Sequence, residues 1–211
     1  MNLLIIDDHQ LFAEGLKFLL KSIDTSIHTA YVKDAKDALL YLQKNNSPDI
    51  ILLDINLSGI HGFSLMQKFQ EIKIESPVLV MSSTKSVATA RLAIESGASG
   101  FIPKSSDSTA LISAVQTVLQ GDIYNPASLY STMGKEISSD SNSQVANITK
   151  RQKEILHLLS QGMLNKQIAS ELGISSNTVK AHLYEIFRHL EVNNRTAAVK
   201  AAFQQGLITQ I

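Results

Sequence analysis

Ile50-Ile51-Leu52-Leu53-Asp54-Ile55-Asn56-Leu57-Ser58-Gly59-Ile60-His61-Gly62 decides the fold of this 211-residue chain. Four consecutive branched apolar residues leave no polar side for water. Such a run reads as a strand buried on both faces, in a parallel sheet covered by helices. Asp54 stands where the run ends, and Gly59 and Gly62 mark a tight loop before the next helix. In open α/β sheets, reactive groups collect at the carboxyl ends of strands. Asp54 is therefore the centre of a site if the neighbouring strands also end in polar residues.

They do. Leu3-Leu4-Ile5-Ile6 runs into Asp7-Asp8, Val78-Leu79-Val80-Met81 into Ser82-Ser83-Thr84, and Phe101-Ile102 into Pro103-Lys104. A weaker strand is expected from Ile27 to Val32. Between the strands, apolar residues recur at helical spacing, as in Leu11, Phe12, Leu16, Leu19 and Leu20. Gly97 is expected to cap the fourth helix, and the fifth runs from about Ser108 to Gln120. Five such units predict an α/β doubly wound five-stranded parallel sheet of strand order 2-1-3-4-5. That order makes the first and third strands neighbours. Asp7, Asp8, Asp54, Ser82 and Lys104 then share one edge.

Adjacent carboxylates repel unless a cation joins them or some take up protons. Oxygen donors without Cys or His suit a hard ion, Mg²⁺, which keeps several of its waters. A carboxylate beside such an ion is a competent nucleophile toward phosphorus, and Lys104 and Ser82 are placed to meet the phosphoryl oxygens. His9 follows the acidic pair. It reads as covering the start of the first helix rather than as a ligand.

Composition bounds the alternatives. The absence of cysteine excludes disulfides, thiolate metal sites and thiol catalysis. No glycine-rich phosphate loop or serine nucleophile arrangement appears, so a stand-alone enzyme is not expected. The apolar start is interrupted at once by Asp7 and Asp8, unlike a signal peptide, and no run approaches a membrane span. A cytoplasmic protein is expected, with no membrane partner. The formal net charge of zero hides an asymmetry. Residues 1–120 carry 10 Lys/Arg against 12 Asp/Glu, whereas residues 148–211 carry 8 against 4. Only the second part is suited to a polyanion.

Asp7-Asp8, Asp54 with Gly62 eight residues on, Ser82 and Lys104 resemble the receiver domain of bacterial response regulators. The resemblance implies Asp54 as phosphoacceptor, with Asp7 and Asp8 (chiefly Asp8), Asp54 and the Asn56 carbonyl as ligands of Mg²⁺. Ser82 and Lys104 would sense the phosphoryl group, and Phe101 would be an aromatic that changes rotamer on activation. Phe101 reads equally well as plain core. Ser58 and Ser105 depart from the pattern, standing where many receivers have proline. Neither change removes a reacting group.

Residues 122–147 read as a linker, with a short helix from Pro126 to Met133 and a flexible Ser138–Ser143 stretch. From residue 148 the periodicity is wholly helical. Thr149 and Gln152 form a capping box, Asn165 is expected to cap a short helix closed by Gly173, and Ser175 or Ser176 caps the next. Two helices joined through Leu172-Gly173-Ile174-Ser175 form a helix-turn-helix, whose second helix enters the DNA major groove. At ~100° per residue, Val179, Leu183, Ile186 and Leu190 face inward and Asn177, Lys180, Ala181, Tyr184 and Arg188 outward. Lys180 is suited to guanine and Ala181 to a thymine methyl. His182 and His189 lie too far apart to form a helical zinc pair.

Thr149-Lys150-Arg151-Gln152-Lys153-Glu154, Gly162, Asn165-Lys166-Gln167-Ile168-Ala169, Thr178-Val179-Lys180-Ala181-His182 and Arg195-Thr196 are similar to the LuxR-type DNA-binding domain. With the receiver pattern, the chain resembles the NarL/FixJ subfamily. The resemblance implies base contacts from Lys180, Ala181 and Tyr184, phosphate contacts from Lys166, Thr178 and His182, and a structural role for Glu154. The expected organisation is a receiver at 1–121, a linker at 122–147 and an all-α four-helix DNA-binding domain at 148–211. The expected function is a two-component regulator in which a sensor histidine kinase or an acyl phosphate donates to Asp54. Phosphorylation would control dimerisation and promoter binding, and the only catalysis would be the chain's own phosphoryl transfer and dephosphorylation. The rivals are a DNA-binding regulator that ignores phosphorylation and a phosphotransfer intermediate whose basic domain docks a protein.

Overall fold

The computed structural model describes residues 1–44, 48–124, 148–192 and 194–208. The first part alternates β1 (Asn2–Ile6), α1 (Gln10–Ile23), β2 (His28–Val32), α2 (Ala35–Lys44), β3 (Ile50–Asp54), α3 (Gly62–Glu71), β4 (Val78–Ser82), α4 (Val87–Glu95), β5 (Gly100–Pro103) and α5 (Ser108–Leu119). All strand pairs are parallel, in the order β2-β1-β3-β4-β5. Leu53 pairs with Ile6, and Asp54 with Met81, so Asp54 sits one step beyond the end of β1.

Side chains alternate across a strand, and the two faces of the sheet bury different helices. Leu3, Ile5, Leu52, Leu79 and Ile102 pack with α1 and α5. Leu4, Ile6, Leu53, Val80 and Phe101 face the opposite layer, formed by α2, α3 and α4. This doubly covered sheet explains why β3 and β4 are buried at every position. Phe101 is fully buried there, as core.

Among the described residues, four helices follow: α6 (Lys150–Ser160), α7 (Asn165–Leu172), α8 (Ser176–His189) and α9 (Arg195–Gln204). The Thr149–Gln152 capping box forms in full. Ser175 caps α8, its hydroxyl accepting the Thr178 N–H at 3.0 Å. Gly173 ends α7 with a positive φ of 65°, a conformation open to glycine without steric cost. One expectation fails. Asn165 is the first residue of α7 rather than its cap, which is Leu164. The Asn165 amide is instead drawn to the other domain, donating to the Gly121 carbonyl at 3.1 Å. Glu154 pairs with Arg151 at 2.9 Å, and Arg151 donates to the Leu172 carbonyl at 2.6 Å, tying α6 to the end of α7.

The short helix expected from Pro126 to Met133 and the Ser138–Ser143 stretch lie outside the described residues. Among the described residues no helix is long and apolar enough to cross a membrane, and there is no cis peptide bond.

Candidate functional site

The acidic edge is built by backbone pairing first. Parallel register brings the ends of β1 and β3 together, and β5 lies beyond β4 on the same side. Asp7 and Asp54 are buried, at 0% and 1% exposure. Lys104 reaches across the ends of the strands between them, with Nζ 2.7 Å from both Asp7 Oδ2 and Asp54 Oδ2. The Phe12 ring lies 4.7 Å from the ammonium. Burial alone would lower the Lys104 pKa. The hydrogen bonds and charges of Asp54 and Asp7 outweigh it, and the ammonium is held above its ordinary range.

The remaining oxygens are held by the loops. Asp54 Oδ1 accepts the Asn56 N–H at 2.9 Å, and Asp7 Oδ1 accepts the His9 N–H at 2.9 Å. Asp8 Oδ2 accepts both the Ser58 hydroxyl and the Ser58 N–H, the latter at 3.0 Å. The Ser58 hydroxyl is the main cause that keeps the Asp8 carboxyl below its ordinary range, against the opposing effect of burial. Gly62 makes this loop possible. A Cβ there would lie 2.6 Å from Ile55 Cα and 2.9 Å from the Asp54 carbonyl oxygen, and its N–H donates to Ile55 O at 2.9 Å.

Asp7, Asp8, His9 and Asp54 each bring one ligand atom within 4.8 Å of the others. Asp8 Oδ1 is buried with no hydrogen-bond partner, and Asp7 Oδ2 is buried beside the Lys104 ammonium. Three carboxylates against one ammonium leave a net negative charge in a poorly solvated place. A hard divalent cation bound by oxygen relieves that arrangement, so the residues fit Mg²⁺.

Ser82 ends β4 on the same edge and is fully buried, but its hydroxyl is engaged locally. It lies 3.1 Å from Thr84 Oγ1 and accepts the Thr84 N–H at 3.1 Å. Asn56 stands two residues beyond the end of β3, its side-chain amide donating to Ser83 Oγ at 3.2 Å. Ser58 and Thr84 were absent from the expected site. Their roles depend on loop closure, which strand and helix periodicity do not report.

The second candidate site is the outer face of α8. Val179, Leu183, Ile186 and Leu190 are buried in the helical domain, as the helical repeat requires. Tyr184, expected to face outward, is only 2% exposed. It belongs to the buried hydrophobic cluster, and α4 of the first domain packs against its helix. Arg91 of α4 lies 3.8 Å from Glu185. Lys180 donates to Ser99 Oγ at 2.9 Å and to the Gly97 carbonyl at 3.3 Å. Burial pushes its pKa down to about 8.

Further contacts join the domains. Lys166 pairs with Glu75 at 2.8 Å on the surface, and Arg195 lies 3.2 Å from Asp122 while donating to Met163 O at 2.8 Å. Ala181 and His182 are half-buried and Thr178 is exposed. Burial, then the charge of Arg151, lowers the His182 pKa. The helix bearing Lys180 and Tyr184 therefore packs against α4 and the residues that follow it, Gly97 and Ser99.

Comparison with known proteins bears on both sites. Residues 3–116 match the family described as response regulator receiver domain. Residues 146–202 match bacterial regulatory proteins, luxR family. The transcriptional regulatory protein DegU of Brevibacillus brevis is 32% identical, over 99% of this chain and 95% of its own. The nitrate/nitrite response regulator protein NarP of Escherichia coli (strain K12) is 29% identical, over 97% and 95%. Among solved structures, the response regulator ChrA of a heme-sensing two-component system is similar over 98% of both chains, with 32% identity and a TM-score of 0.52.

Proposed function

Because the chain belongs to the NarL/FixJ subfamily of two-component response regulators, in which a receiver domain is joined to a LuxR-type DNA-binding domain, we propose that Asp54 accepts a phosphoryl group and that its phosphorylation frees α8 for promoter DNA. The observation that carries the reading is that a single chain holds the acidic edge and a candidate DNA-reading helix packed against the acidic domain. We assign residues 1–121 to the receiver, 122–147 to the linker and 148–211 to the DNA-binding domain, acting in the bacterial cytoplasm.

Asp54 attacks the phosphorus of a kinase phosphohistidine or a small acyl phosphate. The bond from phosphorus to the leaving nitrogen or oxygen breaks as the new acyl phosphate forms. Asp7 and Asp8, with Asp54 and the Asn56 carbonyl, would hold Mg²⁺, which would neutralise charge on the phosphoryl oxygens. Lys104 starts on the attacking carboxylate, 2.7 Å from Asp54 Oδ2, and moves with the charge onto a phosphoryl oxygen. Ser82 exchanges its Thr84 contact for another such oxygen. That exchange moves the loop before α4, and Phe101 in the neighbouring strand repacks with it. Since α4 carries the docked α8, the shift weakens the interdomain contact. Dephosphorylation at the same site resets the chain, which has no other substrate to turn over.

Freed α8 presents Lys180, Ala181 and Tyr184 to base edges, while Lys166, Thr178 and His182 meet phosphates. Two copies bind half-sites about one helical turn apart. Lys180→Ala is expected to cost about 1–3 kcal/mol on a specific site, read by gel shift.

The decisive experiment measures sedimentation and duplex affinity of the full chain with and without beryllofluoride plus Mg²⁺. The expected result is dimerisation together with tighter, salt-dependent DNA binding. Equal DNA affinity in both conditions would instead identify a regulator that ignores phosphorylation. No salt-dependent duplex binding in either condition would identify a phosphotransfer intermediate.

A further inference from the structure

We infer that the cavity between the two domains binds a free α-amino acid with a large apolar side chain, and that its occupancy holds α7 and α8 against the receiver. This rests on the docked arrangement described above and adds a soluble effector to it.

The cavity lies at the edge of the sheet opposite Asp54, where the strands begin. Its volume of about 590 Å³ falls in the range of small-molecule sites, which favour the junction of two domains. One wall belongs to the receiver: Phe69 and Gln70 of α3, Ser76 and Pro77 before β4, Gly97 after α4 and Leu119 at the end of α5. The other wall is the start of α7, with Leu164, Asn165 and Lys166, and the start of α8, with Ser176, Asn177 and Lys180.

Orphaned polar atoms single this cavity out. Outside the acidic edge, two buried side-chain atoms among the described residues have no hydrogen-bond partner, Ser76 Oγ and Asn165 Oδ1. They come one from each wall. Asn165 is 8% exposed. Its Nδ2 donates to the Gly121 carbonyl at 3.1 Å, which fixes the amide orientation and leaves Oδ1 as an acceptor. Buried polar groups are ordinarily satisfied, so Oδ1 calls for an N–H or O–H from an occupant.

The same wall offers positive charge. Leu164 stands at the N-cap position of α7 and has no side-chain oxygen for the first-turn N–H groups. Only the reverse half of a capping box is available, Gln167 Oε1 accepting the Leu164 N–H at 2.7 Å. Neither α7 nor α8 carries an acidic residue in its first turn. Lys180 contacts two neutral oxygens, Ser99 Oγ and the Gly97 carbonyl, and no carboxylate among the described residues. At the rim, Lys166 and Glu75 neutralise each other. A carboxylate suits this wall.

Asn165 thus presents a helix-start N–H and a free acceptor within one residue. A carboxylate and an ammonium borne on one carbon match that pair. Beside them the lining is apolar, with Phe69, Val118, Leu119 and Leu164, and Leu119 and Leu164 are exposed. An apolar side chain covers these residues. Held by Asn165 and Lys180 on one wall and by Ser76 and Phe69 on the other, the amino acid ties the domains together.

The test is calorimetry on the full chain with L-phenylalanine, with hydrocinnamate, which lacks the ammonium, and with phenethylamine, which lacks the carboxylate. L-Phenylalanine is expected to bind at least about tenfold more tightly than either analogue. Leu164→Ser supplies the cap oxygen and completes the box with Gln167, so the variant keeps its fold while its hydroxyl takes the N–H groups from the ligand. Its affinity for L-phenylalanine is expected to fall about tenfold. Saturating L-phenylalanine should also weaken duplex binding in a gel shift. An analogue that binds as tightly as L-phenylalanine, or an unchanged affinity in Leu164→Ser, overturns the amino-acid site. Binding of none of the three identifies a cavity that takes water alone, and overturns it as well. If L-phenylalanine fails while beryllofluoride still raises DNA affinity, the effector site falls and the phosphorylation reading stands. L-Phenylalanine binding in a chain whose DNA affinity ignores beryllofluoride supports the site and overturns the phosphorylation reading.

Discussion

Asp54 and Ser58 show how differently two residues of one loop can be read. Asp54 was legible because it ends an apolar run, and so were Asp7, Asp8 and Lys104, since parallel pairing takes strand ends to a common edge without help from side chains. Ser58 was legible only as a departure from a pattern. Its two bonds to Asp8 exist because the loop folds back at Gly62. Asp54→Asn is expected to abolish phosphoryl uptake from acetyl phosphate while leaving the thermal unfolding curve cooperative. Normal labelling stoichiometry in that variant would show the acceptor to lie elsewhere. Ser58→Ala should cost about 1 kcal/mol at neutral pH, with a pH signature. Asp8 has its folded pKa depressed below 3.8, chiefly by the Ser58 hydroxyl. The stability this adds is present above pH 3.8 and is lost as pH falls through the lower folded value. Urea titrations of the two proteins should therefore converge below about pH 3.8. A gap that persists in acid would assign Ser58 a role independent of Asp8 ionisation.

Periodicity reads elements well where one partner layer explains the pattern, and less well where a second layer intrudes. The α8 helix illustrates both cases. Val179, Leu183 and Ile186 obey the helical repeat because they pack within their own domain. Tyr184 escapes it, in a helix that also packs against α4, more than eighty residues away in the chain. Asn165 fails as a cap for a related reason, its amide being used by Gly121 of the other domain. A cap-type residue before a helical run identifies the start of the helix but not the use of its side chain. The β3–α3 connection offers the sharpest test at this scale. Gly62→Ala places a methyl group against backbone atoms, which cannot move aside as a flexible side chain would. A loss of about 1–3 kcal/mol is expected in denaturant unfolding, with slower uptake of phosphate, because the displaced atoms belong to Asp54 and Ile55. Unchanged stability would mean that the loop relaxes without strain.

The whole molecule converts these local features into a regulated one. Its charge asymmetry is legible in the sequence and points the basic half toward a polyanion, yet nothing in spacing or composition reveals that the basic half rests on the acidic one. That contact is made by loop and helix-end atoms, the Gly97 carbonyl and Ser99 Oγ, that only the folded receiver brings together. Lys180 gives the contact a pH dependence with a definite sign. Its pKa is about 8 in the docked form, lowered by burial from an ordinary 10.5. Docking therefore releases a proton between those values. The docking constant is flat below about pH 8 and rises as pH climbs toward 10.5, by at most about tenfold per pH unit for one proton. Since the chain lacks cysteine, one introduced in each domain would carry a dye pair for energy transfer. Transfer efficiency should increase across that window in the wild type, and the increase should vanish in Lys180→Met, which keeps the apolar stem and removes the charge. The same variant separates Lys180 from Tyr124, whose hydroxyl also has its pKa raised by burial at the edge of the receiver. A slope that survives in Lys180→Met would place the titrating group elsewhere. The Lys180 ammonium would then not be the group that senses docking.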